Sequence, residues 1–371
     1  MKIFRTICRI LVGAVFIFSG FVKGIDPLGF AFRLEDYFYA FGLPWAVPSA
    51  LYLSIFLCTV EFVVGISLLF NLWIRKMSWV MMAMMTFFTV LTLFDALYNL
   101  VPDCGCFGEF IKLTNLQTFL KNLVLLIFVI PVFTSRRKYR QVVPGYFQKT
   151  VLLLFALGFA WLSVYCYRHL PVIDFMDWKV GNQVNQVTSE PVKFFVKYKN
   201  KTTGEEKEYQ SPNYPWNDSA WLSNWVFVSQ RTEDPNTGKA LSLRIEDEKG
   251  IDVTGSFIDN PGYQFILVSW DLAKAKPDAF INVLPLYKKA YAEGAGFICI
   301  TNALPSDIKK FRMANGTAFD FYFADDIIMK TMVRSNPGLV LLKNGKVIAK
   351  WHYNDFPDWE TVKRRYMHPS Q

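Results

Sequence analysis

Five apolar runs dominate the first half of this sequence, and each is close to or longer than the roughly 18 residues that cross a bilayer as a helix. The runs lie at about 4–24, 47–70, 77–100, 113–134 and 149–168 of the 371 residues. The later part of the chain alternates apolar and polar side chains instead. A single soluble domain is therefore excluded, and we expect a bundle of membrane helices followed by a soluble part.

The stretch between the first two runs differs from both of them. Residues 25–46 combine aromatic and charged side chains, which is typical of an amphipathic segment lying at the membrane surface. The first run follows basic residues, as a signal peptide would, but no clear small-residue cleavage site follows it and further runs come after. We therefore expect an uncleaved membrane helix at the start of the chain.

The positions of the basic residues predict the orientation in the membrane. They cluster before the first run, at Arg75 and Lys76 between the second and third runs, and at 135–141 between the fourth and fifth. With five spans these segments fall on one side, and lysine and arginine favour the cytoplasmic side. The prediction is a bacterial inner-membrane protein with a cytoplasmic N-terminus and a periplasmic C-terminal domain.

The net charge of +9 does not point to nucleic acid. Many basic residues lie beside apolar runs, where such residues set the topology, and the sequence shows no nucleic-acid-binding motif. The expected partners are membrane lipid and an unidentified periplasmic client protein, and no nucleic acid is expected.

Cys104 and Cys106 stand one residue apart in "VPDCGCFGEF", between the third and fourth runs. The predicted topology puts them on the outer side, where disulfides form and persist. Cys166 lies about 17 residues into the fifth run, which at a rise of 1.5 Å per residue is near the same surface. Cys8 and Cys58 lie within runs and suit packing residues. The candidate catalytic pair is Cys104 and Cys106, with Cys166 as a candidate third thiol.

Three interpretations of this pair stay open. Cα atoms two residues apart can fall within the range of a disulfide, and Gly105 eases the backbone between them. Strain makes a disulfide more oxidising, which suits a redox-active pair, but a static disulfide or two free thiols fit the residues equally. A metal site would need two further ligands, so no metal is expected. The three histidines are His169, His352 and His368, and their spacing is not that of metal ligands.

Four charged residues inside or at the ends of the runs are candidates for an intramembrane polar pocket: Lys23, Glu61, Asp95 and Lys121. Such charges are costly in lipid and usually face the bundle interior or a wet cavity. Either they pin helices and snorkel to the interface, or they form a polar pocket below the cysteine loop. Asp95 is predicted to pair with Lys121 or Lys23. Glu61 lies deeper and is expected to accept a hydrogen bond from Ser19 or a tryptophan, or to handle protons.

The chain from 263 onward predicts strand, helix, strand, helix, strand and helix, then a hairpin turned by Asn344-Gly345 and a closing helix. This is the thioredoxin order, and "SNPGLVLLKNGKVIAKW" resembles thioredoxin-fold proteins. The resemblance implies a cis peptide bond at Pro337, against the active site. It puts Asp271 and Lys274 roughly where the family's two redox cysteines stand, and Cys299 lies in a buried strand. We therefore expect a thioredoxin-like domain without dithiol chemistry, serving in binding, docking or shielding.

Three features of the membrane half carry a second resemblance. They are "FSGFVKGIDP" at 18–27, Glu61 in the second run, and "DCGCFGE" at 103–109. The combination resembles the DoxX-like superfamily and, through the CGCFG motif, the MauE family of methylamine utilisation. The resemblance implies a four-helix membrane bundle, here fused to a fifth helix and a tail as in Bacteroidetes proteins. DoxX-like proteins are linked to quinones, so a quinone is the implied cofactor, which is otherwise unknown. Nothing in the sequence identifies methylamine metabolism.

The expected fold is thus a membrane α-helical bundle, with a four-helix DoxX-like core plus a fifth span, followed by a soluble α/β thioredoxin-like domain. The predicted divisions are a DoxX/MauE-like transmembrane domain at 1–141, the fifth helix at 142–170, a β-rich connecting region at 171–255 and the thioredoxin-like domain at 256–371.

Two functions remain as hypotheses. The first is a redox accessory protein, a thiol–disulfide or electron relay that acts through the Cys104/Cys106 loop and has a possible quinone link. The second is a non-enzymatic membrane scaffold or maturation factor that binds a partner through its tail. Transport fits poorly, because five spans show no internal repeat.

Overall fold

The structure is a computed structural model that describes residues 2–101, 105, 107–111, 113–139, 143–184, 193–210, 215, 219–233 and 243–367. Cys104, Cys106 and His368 lie outside these residues. Of the loop that carries the two cysteines, the structure describes Gly105 and residues 107–111.

The described part of the first 168 residues contains six α-helices: α1 (Lys2–Ile25), α2 (Pro27–Ala40), α3 (Ala50–Phe70), α4 (Ile74–Tyr98), α5 (Asn115–Thr134) and α6 (Gly145–Arg168). A 3-10 turn over Pro44–Ser49 leads into α3. All except α2 are long and apolar enough to cross a membrane, so the five predicted spans are confirmed by length and composition.

The closest helix packing in the membrane half joins α1 to α3, and glycines make it possible. A Cβ atom on Gly65 would lie 2.6 Å from the backbone nitrogen of Ile17, and one on Gly20 would lie 2.8 Å from that of Phe62. Small residues at such points let two backbones approach, which is how membrane helices gain packing energy. Helix α6, the last of the five predicted spans, joins this pair through Phe159, whose ring stacks on Phe62 with centroids 4.1 Å apart.

Helix α2 covers the end of the bundle at which α1 ends, and it does not cross the bundle. It begins after Asp26, whose side chain accepts a hydrogen bond from the Gly29 amide, and Pro27 occupies its first turn. The Ser54 hydroxyl donates to the Pro27 carbonyl oxygen, which ties the start of α2 to α3. The amphipathic segment predicted between the first two runs is therefore an ordered helix packed on the bundle.

A small antiparallel sheet follows the membrane half, with strand order β2-β1-β3. Its elements are β1 (Lys193–Asn200), β2 (Glu206–Gln210), α7 (Ser219–Asn224) and β3 (Trp225–Glu233). Trp221 and Trp225 stack with centroids 5.8 Å apart, and Tyr198 meets the Trp221 ring edge-on at 4.7 Å. The sheet has its own aromatic cluster, and among the residues that the structure describes it pairs with no strand of the larger sheet.

The C-terminal part is a five-stranded sheet flanked by helices. Its strands are β4 (Tyr263–Ser269), β5 (Gly296–Thr301), β6 (Asp320–Phe323), β7 (Gly338–Lys343) and β8 (Lys346–His352), and its helices are α8 (Thr254–Ile258), α9 (Pro277–Asn282), α10 (Leu284–Ala292), α11 (Pro305–Asn315), α12 (Asp326–Met332) and α13 (Trp359–Val362). The spatial order is β6-β5-β4-β7-β8. Strands β4, β5 and β6 are parallel to one another, and β7 is antiparallel to both of its neighbours, β4 and β8. Strands β4 and β5 are largely buried and the sheet has a core on both faces, as in a helix–sheet–helix sandwich. The predicted thioredoxin-like α/β fold is confirmed.

Two local features of this domain were predicted from the sequence. The Asn336–Pro337 peptide bond is cis. Asn344 and Gly345 both have positive φ, 48° and 71°, which is what a two-residue turn between antiparallel strands needs. The single helix that the sequence predicts between the first two strands of this domain is instead two, α9 and α10, because the chain turns at Val283 and restarts with Pro285 in its first turn.

Charged contacts dock the thioredoxin-like domain against the same end of the bundle, where α1 ends. Lys350 in β8 forms a 2.6 Å ion pair with Asp174, which lies just after α6. His169, the residue after α6, bonds Asp355 through Nδ1 at 2.8 Å. These contacts set which face of the thioredoxin-like domain meets the membrane helices.

Candidate functional site

The cysteine loop lies on the end of α1. Phe107 and Phe110 pack on Phe18, with ring centroids 5.7 and 5.4 Å apart. Gly108 has a positive φ of 52°, and a Cβ atom there would lie 3.3 Å from a side-chain carbon of Val22. Gly105, the residue between the two cysteines, also has a positive φ and lines a crevice shared with Lys23 and Asp26. The described residues on both sides of Cys106 therefore place this loop directly over the end of the bundle.

A small polar cavity lies below the loop. Lys23 and Glu61 form an ion pair at 2.5 Å inside it, and the two residues are only 4% and 7% exposed. The cavity has a volume of about 40 Å³. Its lining is Val15, Phe16, Ser19, Lys23, Phe30, Glu61, Met85, Phe88, Phe107, Lys121, Asn122 and Leu125. The predicted pocket residues Lys23, Glu61 and Lys121 are thus brought together.

The two lysines of the cavity are held differently. Lys23 has the Glu61 carboxylate and also lies 5.0 Å from the centre of the Phe30 ring. Lys121 lies 4.4 Å from the centre of the Phe107 ring, so a residue of the cysteine loop covers its ammonium. The sequence predicts that Glu61 accepts a hydrogen bond from Ser19 or a tryptophan, and does not predict its ion pair with Lys23. A buried pair of opposite charge is the arrangement that makes two intramembrane charges tolerable.

Asp95 does not belong to this cavity. Its carboxylate accepts a hydrogen bond from the Tyr37 hydroxyl at 2.5 Å, which joins α4 to α2. The predicted ion pair of Asp95 with Lys121 or Lys23 is wrong, because Tyr37 on the surface helix reaches the carboxylate and Lys23 is taken by Glu61. The other carboxylate oxygen of Asp95 is buried without a hydrogen-bond partner among the described residues.

In the thioredoxin-like domain, Asp271 and Lys274, which the resemblance puts roughly at the family's two redox cysteines, form an ion pair. Lys274 Nζ lies 3.1 Å from Asp271 Oδ2, in the turn that follows β4. The Asn336 side chain donates to the Asp271 carbonyl oxygen at 2.7 Å and accepts from the Ser269 hydroxyl at 3.0 Å, so this turn is bound to the cis-proline loop. Cys299 is fully buried in β5, and burial raises the pKa of its thiol well above the usual value. Neither position offers a reactive thiolate.

The same face of the domain is turned toward α2. Trp270 meets the Phe32 ring edge-on with centroids 6.2 Å apart, and Lys330 lies 5.0 Å from the centre of that ring. Beside this contact is a cavity of about 320 Å³. Its lining is Leu28, Phe32, Glu35, Tyr167, Trp270, Asp271, Lys274, Lys276, Asn302, Asp326, Lys330, Arg334, Ser335, Asn336, His352 and Tyr353.

Glu35 and His352 are among the groups of this cavity that have shifted pKa values. Burial raises the pKa of the Glu35 carboxyl, and the charges of Lys274 and Lys330 oppose that rise. Burial lowers the pKa of His352 to about 4, helped by His169 and Lys276, so His352 is neutral at pH 7. The cavity is therefore polar and charged, unlike the lipid-facing sides of the helices.

Arg334 connects the three parts of the site, and sequence reasoning missed it. Its Nε donates to both carboxylate oxygens of Asp26, at 3.0 and 2.9 Å, and its Nη2 donates to Glu109 at 3.3 Å. A third donor, Nη1, bonds the Lys330 carbonyl oxygen at 2.6 Å. Only its position three residues before Pro337 could have drawn attention to it in the sequence.

The candidate third thiol, Cys166, is buried in the last turn of α6. Its thiol contacts the backbone of Val172, in the segment that leads to the soluble domain. Thiol exchange with a partner would require this segment to move away from Cys166, because the thiol is not accessible. The role of Cys166 as a third thiol stays a prediction. The positions of Cys104 and Cys106 relative to it lie outside the described residues.

The implied cofactor does not fit the polar cavity. A cavity of about 40 Å³ is well below the roughly 150 Å³ that accommodates a benzene ring, and has room only for a few water molecules. We therefore assign no step to a quinone. Among the described residues no group of three or more histidine, cysteine or acidic side chains is arranged to hold a metal ion.

Three comparisons bear on family and fold. Residues 1–135 match the family model of the methylamine utilisation protein MauE. Protein TlpB of Flavobacterium psychrophilum is 27% identical over 159 residues, which are 40% of this chain. The chain spans 43% of the length of that relative.

The solved thioredoxin domain of a thiol-disulfide oxidoreductase from Bacteroides vulgatus aligns at 15% identity and a TM-score of 0.28, covering 35% of this chain and 96% of that domain. The thioredoxin-like assignment rests on the strand order and directions described above. The family match over residues 1–135 confirms, for this part of the chain, the resemblance found in the sequence.

Proposed function

We propose that this membrane protein is a redox accessory protein that exchanges disulfides through Cys104 and Cys106 at the periplasmic face of the bacterial inner membrane. The observation that carries the proposal is the position of the described loop residues. Gly105, Gly108 and Glu109 line one crevice with Lys23 of the buried ion pair. Glu109 also bonds Arg334 of the thioredoxin-like domain, in which Asp271 and Lys274 form an ion pair.

The proposed reaction is one thiol–disulfide exchange. A thiolate of the client protein attacks the Cys104–Cys106 disulfide and forms a mixed disulfide, and the second client thiolate then resolves it. The client loses two electrons and two protons and gains a disulfide, and Cys104 and Cys106 become thiols. Exchange with a second, more oxidising protein disulfide returns the pair to its starting state.

The surroundings of the loop favour this chemistry. The thiolate is the reactive form of cysteine, and a nearby ammonium stabilises it. Lys23 lines the same crevice as Gly105, the residue between the two cysteines. Glu61 balances the charge of Lys23, so that the bundle carries a paired charge below the loop.

The test is to trap the thiol state in cells. Cells are quenched with acid, free thiols are alkylated with a bulky maleimide, and the wild type is compared with Cys104→Ser, Cys106→Ser and the buried-thiol control Cys299→Ser. In the wild type we expect the reduced fraction of the Cys104/Cys106 pair to change with growth conditions. In either loop variant this change in the alkylation pattern should be lost. A pair that stays wholly oxidised or wholly reduced under every condition would exclude the relay.

The orientation is a separate proposal with its own test. Single cysteines introduced at 135–141 and on the exposed surface of the thioredoxin-like domain are labelled with a membrane-impermeant maleimide in intact spheroplasts. We expect labelling of the soluble domain only. Labelling of the 135–141 segment alone would reverse the orientation and place the cysteine loop in the cytoplasm.

The second candidate function is a non-enzymatic scaffold or maturation factor. The Asp271–Lys274 pair favours it, since a thioredoxin-like domain without thiols serves in binding. Full complementation of a deletion strain by Cys104→Ser/Cys106→Ser would support the scaffold, whereas loss of function at normal abundance would support the relay. In either case the domain's cis-proline face already contacts α2, so a client would use another surface or the adjacent cavity.

A further inference from the structure

The cavity of about 320 Å³ lies between the membrane helices and the thioredoxin-like domain. Helix α2 contributes Phe32 and Glu35 to its lining, α6 contributes Tyr167, and the domain contributes Trp270 and His352 among others. The volume is about twice the roughly 150 Å³ that accommodates a benzene ring, and it falls in the range of small-molecule sites. The two parts of the chain therefore form a space that is large enough for a small organic molecule.

Most charged side chains of this lining already have partners. The ion pairs include Lys274 with Asp271, Lys330 with Asp326, and Arg334 with Asp26 and Glu109. Glu35 and Lys276 differ, because neither charged group has an ion pair or a hydrogen bond within the part of the chain that the structure describes. The cavity thus offers one unpaired carboxylate and one unpaired ammonium group.

Hydrogen-bond donors share the lining with Lys276. Its ammonium lies 5.3 Å from the centre of the Tyr353 ring. His352 is 2% exposed, and its Nδ1 accepts a hydrogen bond from the Asn354 amide at 3.2 Å, so the ring proton is on Nε2, which is a donor. Neither this Nε2 nor the Tyr167 hydroxyl has a hydrogen-bond partner among the described residues. An ammonium, an N–H and a hydroxyl that are all unpaired suit a carboxylate.

Glu35 is the acceptor of the cavity. It is half-buried, and the charges of Lys274 and Lys330 act on it although each of these lysines has its own aspartate. Burial raises the pKa of the Glu35 carboxyl, and a cation bound beside it would favour the carboxylate form instead. An unpaired, half-buried carboxylate suits an ammonium group.

We propose that this cavity binds a small zwitterion, which presents a carboxylate to Lys276 and His352 and an ammonium group to Glu35. The rings of Phe32 and Trp270, which meet edge-on in the same lining, contact its hydrocarbon part. A simple anion would leave Glu35 unpaired beside it, and a simple cation would do the same to Lys276. None of these groups belongs to the cysteine loop, so the inference goes beyond the proposed function and does not depend on it.

The test compares two isomers that carry the same charged groups. Norleucine has its carboxylate and ammonium on one carbon atom, and 6-aminohexanoate has them at opposite ends of the carbon chain. Hexanoate and hexylamine carry a single charge each. Binding of these compounds at up to millimolar concentration is measured by isothermal titration calorimetry on the full chain in lipid nanodiscs, with empty nanodiscs as the blank.

The variants are Glu35→Gln and Lys276→Gln. The control is Lys310→Gln, because Lys310 is an exposed lysine of α11 that faces Asp307 and is not in the cavity lining. We expect at least one isomer to bind more tightly than hexanoate and hexylamine. Each cavity variant should weaken that binding about tenfold, the loss that follows when a hydrogen bond to a charged group is removed. Lys310→Gln should bind as the wild type does.

The outcomes separate clearly. A preference for 6-aminohexanoate or for norleucine supports the proposal and tells whether the two groups of the ligand are far apart or adjacent. Hexanoate or hexylamine binding as tightly as both isomers would overturn it, as would the absence of binding by either isomer. Binding that neither cavity variant weakens would overturn it too. If Glu35→Gln does not accumulate, Lys276→Gln decides alone, since the Lys276 side chain is exposed and has no ion pair among the described residues.

Discussion

The buried ion pair between Lys350 and Asp174 allows one prediction to be worked out in detail. The two side chains are 2% and 22% exposed, and their charged atoms are 2.6 Å apart. Burial lowers the pKa of Lys350, and the Asp174 carboxylate opposes that effect. Replacing Asp174 by Asn keeps the shape of the side chain but removes its charge, which leaves the Lys350 ammonium buried without a counterion.

The expected loss of folding stability in Asp174→Asn follows from two limits. Breaking a buried pair by removing one partner costs about 3 to 5 kcal/mol. Lysine can instead lose its proton on folding, which costs about 1.4 kcal/mol for each pH unit below its unfolded pKa of about 10.4. The loss of stability therefore cannot exceed about 4.6 kcal/mol at pH 7 or about 1.9 kcal/mol at pH 9. We expect a loss of about 3 kcal/mol at pH 7.

The sign of the pH dependence is fixed by the direction of the pKa shift. A lysine with a lowered pKa in the folded state binds fewer protons there than in the unfolded state, so stability rises with pH between the folded and unfolded pKa values. Asp174→Asn lowers the pKa of Lys350 in the folded state further. The pH range over which stability rises with pH therefore extends further toward neutral pH. The difference from the wild type must therefore shrink as the pH is raised from 7 to 9.

The measurement is hydrogen exchange of the β7 and β8 amides in the full chain in nanodiscs, at increasing urea and at both pH values. Asp307→Asn is the matched control, because the Asp307–Lys310 pair is exposed and 3.6 Å long, and it should change stability by less than about 1 kcal/mol. A loss below about 1 kcal/mol at pH 7, or one that is the same at pH 9, would refute the reasoning.

The other predictions concern the membrane core and the buried thiol. Lys23→Met and Glu61→Met should each cost about 3 to 5 kcal/mol in detergent unfolding, and the double variant should recover most of that loss; additive losses would contradict the pairing. Gly65→Ala should cost about 1 to 3 kcal/mol because its Cβ atom meets the α1 backbone, and a neutral result would mean that α1 and α3 are farther apart. Cys299→Ala should leave the alkylation pattern of the loop unchanged, whereas a changed pattern would bring β5 into the thiol chemistry.

The sequence was sufficient where one physical rule determines the outcome locally. The length of the apolar runs predicted five helices, and each run became one. Asn344-Gly345 predicted the β7–β8 hairpin because few other pairs tolerate two positive φ values. The thioredoxin order followed from the alternation of buried strands and helices, although the restart at Pro285 was not recognised.

The candidate site was predicted only in part, because its contacts join distant segments. Lys23, Glu61 and Lys121 were grouped correctly by their height in the membrane, but height alone could not tell that Asp95 faces α2 and meets Tyr37. Arg334 was not predicted at all. An arginine in a loop has no periodic pattern, and its partners depend on how two domains dock.

The contact between Arg334 and the cysteine loop has a consequence for synthesis. Glu109 and Arg334 are 225 residues apart, so at 5 to 20 residues per second the loop is made roughly 10 to 45 s before its arginine. During that interval the growing chain has the bundle and the loop but not the side chain that joins them. Every newly made molecule therefore passes through an early form in which the loop is unattached, and a factor acting at that stage meets a different substrate from the finished protein.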